Sequence, residues 1–377
     1  MKVAGIMSGT SLDGIDVAIV NVERRGKVTP IAFRSVPYPR AVREALLGVS
    51  NTMTHTAAIS RLNFLLGELY AEALIATARR ARVPLDDILL VGLHGQTIFH
   101  EGAPVEYLGR CISSTFQIGE AAVVTERTGI RVVSNFRERD IAAGGAGAPL
   151  VPLVDYFLFK HRKRITRAIV NIGGIANITI LYPGAKPEDV IAFDTGPGNM
   201  VIDALVSHYT EGRETYDRNG RIARSGKVHD ELLKAMRSDP YFTRKPPKTA
   251  GREQFGQQFV SGLIATGIPL PDLIATATEL TAISIARAIL DFTFQPELEI
   301  IVSGGGLRNR WLMRRLQDHV HPWRIRSAAE LGIDPDAKEA IAFAVLAYQT
   351  FISEPGNLPS ATGARRPVIL GKTTFPW

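Results

Sequence analysis

A short apolar strand pattern running into a turn of Gly, Ser, Thr and Asp occurs twice in this 377-residue chain, and no other feature limits its fold so strongly. The first copy, residues 3–7, enters Ser8-Gly9-Thr10-Ser11-Leu12-Asp13-Gly14-Ile15-Asp16, and a second strand-like run covers 16–22. The second copy, residues 190–193, enters Asp194-Thr195-Gly196-Pro197-Gly198-Asn199 and predicts a helix over 200–208. Strands alternating with helices specify an α/β architecture. Two copies of one strand-turn unit predict two related halves with a cleft between them, and the length agrees with two domains.

Further elements follow from spacing. Ile59, Leu62, Leu65, Leu66, Leu69 and Ala73 form one apolar stripe, which predicts a helix over 57–80. Residues 89–93 and 132–133 read as buried strands, the former ending in His94-Gly95-Gln96. Residues 168–172 and 177–181 flank a Gly173-Gly174 turn, and 298–302 lead through the glycine turn 303–306 into a helix over 309–320. A last apolar helix is expected over 340–351. Pro149 and Pro152, beside the Gly-rich stretch 142–149, mark a boundary. The expected domains are 1–140 plus 345–377, and 141–344.

Composition removes several classes. With 45% apolar and 21% charged residues the chain is neither disordered nor fibrous. The single Cys111 excludes a disulfide framework and any Cys-rich zinc site, as in a reducing cytosol. The first apolar run is too short for a signal-peptide core, and no stretch of about 20 apolar residues stands out as a membrane span. The net charge of +7 suits anionic ligands without naming them. Arg162-Lys163-Arg164 and Arg314-Arg315 lack interleaved aromatics, so solvated faces are expected there, and no nucleic-acid partner.

Three turns could carry chemistry. The hydroxyls and glycines of 8–16 can give donors to phosphate oxygens, and Asp13 and Asp16 could hold Mg²⁺ directly or through its waters. The same residues also serve an ordinary hairpin turn. Asp194 ends a buried strand and is aimed beyond the sheet edge, where open α/β sheets place ligands. The alternative there is an Asp-led turn into a helix with Asn199 as N-cap. Gly304-Gly305-Gly306 before a helix is an anion-binding geometry or a flexible connection. It is not the G-x-G-x-x-G fingerprint, and residues 220–228 miss the P-loop. His94 through His100 and Arg137 through Asp140 are polar loops. Arg137 is suited to a carboxylate and Asp140 to sugar hydroxyls, unless both belong to a surface ion-pair cluster.

Together these segments resemble the anhydro-N-acetylmuramic acid kinase family. The likeness is carried by Gly5 through Asp16, His94-Gly95-Gln96-Thr97, Phe136-Arg137 with Asp140, and Gly144-Gly145 with Gly147-Ala148-Pro149-Leu150-Val151. It continues through Asn171 to Asn177, Asp194 to Asn199, Pro246-Pro247-Lys248 with Gly251-Arg252-Glu253, Ser303 to Asn309, Glu339-Ala340 with Phe343-Ala344, and Gly356 to Ser360 with Thr362-Gly363-Ala364. Shared turns alone would not place so many motifs in order along the chain.

The resemblance implies the two-domain actin-like ATPase fold of acetate and sugar kinases, with a central cleft. It implies an ATP- and Mg²⁺-dependent enzyme that opens the 1,6-anhydro ring and phosphorylates O6, giving N-acetylmuramic acid 6-phosphate and ADP in peptidoglycan recycling. It makes Asp194 the catalytic base. Gly9, Thr10, Ser11, Leu12, Asp13, Gly14, Ile15 and Asp16 would then hold the phosphates, with Gly196, Gly198, Gly304, Gly305, Gly306 and Asn309 along the nucleotide. His94, Arg137, Asp140 and Glu339 become sugar contacts, Arg137 pairing the lactyl carboxylate. A cytoplasmic homodimer is also implied. One departure stands out: Ala146 replaces the glutamine that the family usually carries in its Gly-rich stretch. An ordinary hexose kinase of this fold, or a non-catalytic sugar sensor, are the competing readings, since fold alone does not assign function.

Overall fold

The computed structural model describes residues 1–9, 12–23, 27–161, 164–293 and 297–376, and of residue 252 the backbone alone. Thr10, Ser11, Arg162 and Lys163 therefore lie outside the described residues. In chain order the strands are β1 (Lys2–Ser8), β2 (Gly14–Val22), β3 (Val28–Pro37), β4 (Ile88–Tyr107), β5 (Arg110–Ile118) and β6 (Val132–Ser134). Then come β7 (Thr166–Ile172), β8 (Ile175–Leu181), β9 (Ile191–Pro197), β10 (Leu298–Ser303), β11 (Ile325–Ser327) and β12 (Lys372–Thr374).

They form two sheets, in the orders β12-β6-β4-β1-β2-β3, with β5 on β4, and β11-β10-β7-β8-β9. In the first, β1, β2 and β3 are an antiparallel meander, and β4 and β6 are parallel to β1 and β4. In the second, β7, β8 and β9 are the meander, and β10 and β11 add in parallel. One topology is thus used twice, which agrees with the two related α/β halves expected from the sequence.

The chain divides into two compact units, 1–158 with 337–377, and 159–336. Both boundaries differ from those expected at 140 and 344. All but the last residue of the helix Val151–Phe159 lies in the first unit, where Asp155 pairs with Lys338 at 3.0 Å, both side chains almost wholly buried. The helix Lys338–Phe351 is continuous, so a boundary at 344 would cut it.

Other elements follow their spacing closely. The helix predicted over 57–80 spans Thr56–Arg80 and buries Leu62, Leu66, Tyr70 and Leu74 against the first sheet. Each of these leucines contributes roughly 1.5–3 kcal/mol. β4 does not stop at His94 but runs on to Tyr107 as a hairpin with β5, from Gln96↔Ile118 to Tyr107↔Arg110. Its outer half exposes Phe99, Val105 and Tyr107, so no buried alternation signalled the extension. The helix Leu270–Phe292, mean hydropathy 1.5 over its best window, does have the length and composition to cross a bilayer, contrary to the expectation of no such stretch. It is 83% buried there, between the two apolar clusters of the second unit.

Candidate active site

Close helix-sheet packing positions the site of the first unit. A Cβ on Gly5 would lie 1.9 Å from the Ala340 carbonyl oxygen, and one on Gly92 2.0 Å from that of Phe343. The helix Lys338–Phe351 therefore rests directly on β1 and β4, and Glu339 in its first turn is exposed. Surrounding protein pushes the Glu339 carboxyl up, against the charges of Lys338 and Arg137, with Asp16 adding to the rise.

At the end of β1 the buried Ser8 hydroxyl lies 2.6 Å from Tyr38 Oη and 2.6 Å from Gln96 Oε1. Gln96 Nε2 in turn donates to the Gly9 carbonyl at 3.1 Å, as does the Leu12 amide at 3.2 Å. Gly9, just past β1, is thus anchored from β4 and from Leu12, which precedes β2. Leu12 and Ile15 put their side chains into the core, so they present backbone only. Asp13 is exposed, Gly14 begins β2 and Asp16 is half-buried on it.

His94 is buried, its Nδ1 2.8 Å from the Gly95 carbonyl and its Nε2 2.9 Å from Arg137 Nη2. A carbonyl partner requires a proton on Nδ1, which leaves Nε2 to accept from the guanidinium. Burial, then the Arg137 charge, hold His94 well below the usual histidine range, so it is neutral. Arg137 also donates to the Gly147 carbonyl at 2.8 Å. Asp140 is fully buried. Its oxygens accept from the Gly147 amide, Asn357 Nδ2 and Thr362 Oγ1 at 2.6–2.8 Å. This carboxylate organises the Gly-rich loop and has no exposed oxygen for a sugar, unlike the contact expected from the sequence. Ala146 lies in that loop, its amide bonded to the Thr362 carbonyl and its Cβ against Gly102.

In the second unit, Asp194 sits on β9, which runs in the same direction as β7 and β10, near their carboxyl ends. Three bonds hold it: its amide donates to the Lys248 carbonyl at 3.1 Å, Tyr241 Oη donates to its carbonyl at 2.5 Å, and the Ala250 amide donates to Oδ2 at 2.9 Å. Among the described residues no group bonds Oδ1. Burial raises the carboxyl to about 6, opposed by the Ala250 amide and Lys248 and helped by Glu253. A carboxylate so poised can take a proton near neutral pH.

The glycines beyond Asp194 are used structurally. Gly196 and Gly198 are buried, and a Cβ on Gly198 would lie 2.3 Å from the Gly173 carbonyl oxygen. The amides of Gly198, Asn199 and Met200 donate to Gly173 and Gly174 carbonyls at 2.8–3.1 Å, so the start of the helix Asn199–Tyr209 is capped by the β7–β8 turn. Those donors are taken and do not face a phosphate, and Asn199 is not the N-cap. Gly304, at φ +86°, would bring a Cβ 2.7 Å from the Ile172 carbonyl oxygen, and a Cβ on Gly306 would strike the Ile172 side chain, whereas Gly305 is open. Asn309 is buried and its Oδ1 accepts the Leu312 amide at 3.0 Å, which makes it the N-cap of Arg310–Val320.

Within the first unit the structure brings together Ser8, Gly9, Gln96, His94 and Arg137; within the second it gathers Asp194, Gly198, Gly304 and Gly306 around the β7–β8 turn. Sequence reasoning missed Tyr38, Tyr241, Ala250 and Asn357 as partners. Their only local signal was proximity to Pro-rich or Gly-rich runs, because their contacts are long-range. Among the described residues no cluster of three or more His, Cys, Asp or Glu could hold a metal alone.

The family model for anhydro-N-acetylmuramic acid kinase matches residues 1–376. The anhydro-N-acetylmuramic acid kinase of Caldanaerobacter subterraneus subsp. tengcongensis is 45% identical, covering 99% of this chain and 96% of the relative. That of Salinibacter ruber is 41% identical, again over 99% and 96%. Among solved structures, component A of the Acidaminococcus fermentans (R)-2-hydroxyglutaryl-CoA dehydratase aligns over 93% of this chain and 98% of that one, at 12% identity and a TM-score of 0.45. Through the full-length match and these relatives, the chain belongs to the anhydro-N-acetylmuramic acid kinase family.

Proposed function

We propose that this chain, an ATP-dependent kinase by its family, opens the 1,6-anhydro ring of 1,6-anhydro-N-acetylmuramic acid and phosphorylates O6 in the recycling of peptidoglycan. The observation that carries the reading is Asp194, with one carboxylate oxygen fixed by the Ala250 amide, the other unclaimed among the described residues, and an affinity for protons near neutrality. Asp194 takes a proton from water as its oxygen bonds to C1, and the C1–O6 bond breaks. O6 then bonds to the γ-phosphorus, the bridging bond to the β-phosphate breaks, and N-acetylmuramic acid 6-phosphate and ADP result. A carboxylate has suitable basicity for water addition to an oxocarbenium-like centre.

Phosphoryl transfer asks chiefly for alignment and charge neutralisation. The loop from Gly9 to Asp16 is the proposed phosphate cradle in the first unit, and Gly304-Gly305-Gly306 the nucleotide contact in the second. Gly305 is its open position: the Gly305 and Gly306 amides donate to no carbonyl among the described residues. Mg²⁺ supplies charge neutralisation when bound, and Asp13 and Asp16 would hold it. Two carboxylates fit an ion that keeps most of its waters and its phosphate ligands, rather than an all-protein cage. Glu339 and Arg137 are the proposed sugar contacts, Arg137 directed by neutral His94. A cytoplasmic location and a homodimer are part of the proposal on the strength of resemblance alone.

The test is ADP release with Mg-ATP and the anhydro sugar in ¹⁸O-water, with glucose and N-acetylglucosamine as controls and Asp194→Asn alongside. Turnover of the anhydro sugar alone, ¹⁸O at C1 and at least roughly 10³-fold loss in the variant are expected. Turnover of glucose without label would sink the reading.

A further inference from the structure

Asp155 and Lys338 form an ion pair at 3.0 Å inside the first unit, with side chains only 3% and 2% exposed. Desolvation of two such charges costs about what their attraction returns, so an apolar pair of similar volume would be as stable. Net stability therefore does not explain the pair. What an ion pair adds is a fixed register, because its attraction depends steeply on where both side chains lie.

Its place in the chain shows what is held. Lys338 is the second residue of the returning segment 337–377, and Asp155 lies on the helix Val151–Phe159. The pair thus joins the two segments of this unit where the second begins. Lys338 also opens the helix Lys338–Phe351, whose N-cap, Ala337, supplies no side-chain cap. An uncapped first turn is prone to fray. The close contacts with the sheet come later, at Ala340 beside Gly5 and Phe343 beside Gly92. Asp155 anchors the start of the helix, ahead of those contacts.

That first turn carries Glu339, exposed next to buried Lys338. One turn further on, the Phe343 ring centre lies 4.5 Å from that of His94, whose Nε2 is 2.9 Å from Arg137 Nη2. Both proposed sugar contacts are therefore referred to one helix, Arg137 through His94 and Phe343, Glu339 through its own first turn. We infer that the Asp155–Lys338 pair is a positioning device that fixes this turn and so sets Glu339 relative to Arg137 for the sugar, without touching the substrate. The inference rests on the proposed role of Glu339 as a sugar contact.

The experiment measures kcat and the KM values for the anhydro sugar and for Mg-ATP, with melting temperatures alongside. The proteins are wild type, Asp155→Leu with Lys338→Met, Glu339→Gln, and the triple variant. Both partners are replaced together because either change alone would leave a buried unpaired charge. The apolar pair is expected to fold with an unchanged melting temperature and to raise the sugar KM about 10-fold, at unchanged Mg-ATP KM. Glu339→Gln is expected to raise the sugar KM in the wild-type background and to add little to the apolar pair, since both changes act through one carboxylate. Should the apolar pair not fold, Asp155→Asn with Lys338→Gln, which can keep a neutral hydrogen bond, reads the same constants. An unchanged sugar KM in the folded variant, an equal rise in both KM values, or full additivity with Glu339→Gln would overturn the inference. A Glu339→Gln enzyme with wild-type sugar KM would instead overturn the role of Glu339, and a wild type that turns over no anhydro sugar would overturn the proposed reaction.

Discussion

The Asp194 carboxyl is raised from 3.8 to about 6, first by burial, then by Glu253, against the Ala250 amide and Lys248. The sign for stability follows directly. The folded state holds this proton more tightly than the unfolded chain, so the protonated form is favoured below about pH 4 and the advantage is lost as pH rises through about 6. Above pH 6 the ionised group opposes folding by an amount of order 2–3 kcal/mol. Asp194→Asn should therefore be more stable than wild type by about 2 kcal/mol at pH 7.5, with the gap closing towards pH 4, in urea titrations. A gap independent of pH would contradict this. The base was legible in the sequence as an Asp ending a strand. Its tuning was not, because Tyr241, Lys248 and Ala250 lie 47 to 56 residues away and reach it only in the folded unit. Asp140 shows the opposite error: a polar residue in a family motif suggested a sugar contact, yet burial and three donors make it a loop organiser.

Among the elements, the helix Lys338–Phe351 decides most. Its approach to β1 and β4 depends on Gly5 and Gly92, where added Cβ atoms would meet backbone oxygens and not yielding side chains. Gly5→Ala should lower stability by about 3 kcal/mol, seen as a lower urea midpoint at unchanged slope, and should lower activity by displacing Glu339. A midpoint within error of wild type would remove the close-packing argument. Helices with a regular apolar stripe, such as Thr56–Arg80, follow directly from spacing, since one buried face imposes its own period. β4 beyond His94 did not, because its hairpin with β5 exposes apolar residues and is held by backbone pairing that side-chain patterns do not encode. Helix Leu270–Phe292 was missed for another reason: it is apolar nearly all round because both faces are covered.

For the whole molecule, the second unit is one continuous segment, 159–336, while the first is assembled from 1–158 and 337–377. All strands and apolar clusters of the second unit fall inside its segment. Residues 159–336 expressed alone should therefore unfold cooperatively. Residues 1–158 alone should not, lacking the helix over β1 and β4, strand β12 beside β6, and Asn357 and Thr362 for Asp140. Co-expression with 337–377 should restore a single transition by calorimetry; a cooperative 1–158 fragment would show the returning segment 337–377 to be dispensable. By itself the sequence determined the α/β class, the doubled strand-turn unit, the main helices and the residues worth suspecting, because those are written in local period and turn chemistry. The tertiary structure alone decided the strand orders, the two crossing points and the fate of each polar group. Amides at Gly198, Asn199 and Met200 bond the neighbouring β7–β8 turn, Asn309 caps a helix, and among the described residues Asp194 keeps one oxygen open. Whether a polar group is satisfied depends on partners tens of residues distant, and burial without a partner, or with one, is a property of three dimensions.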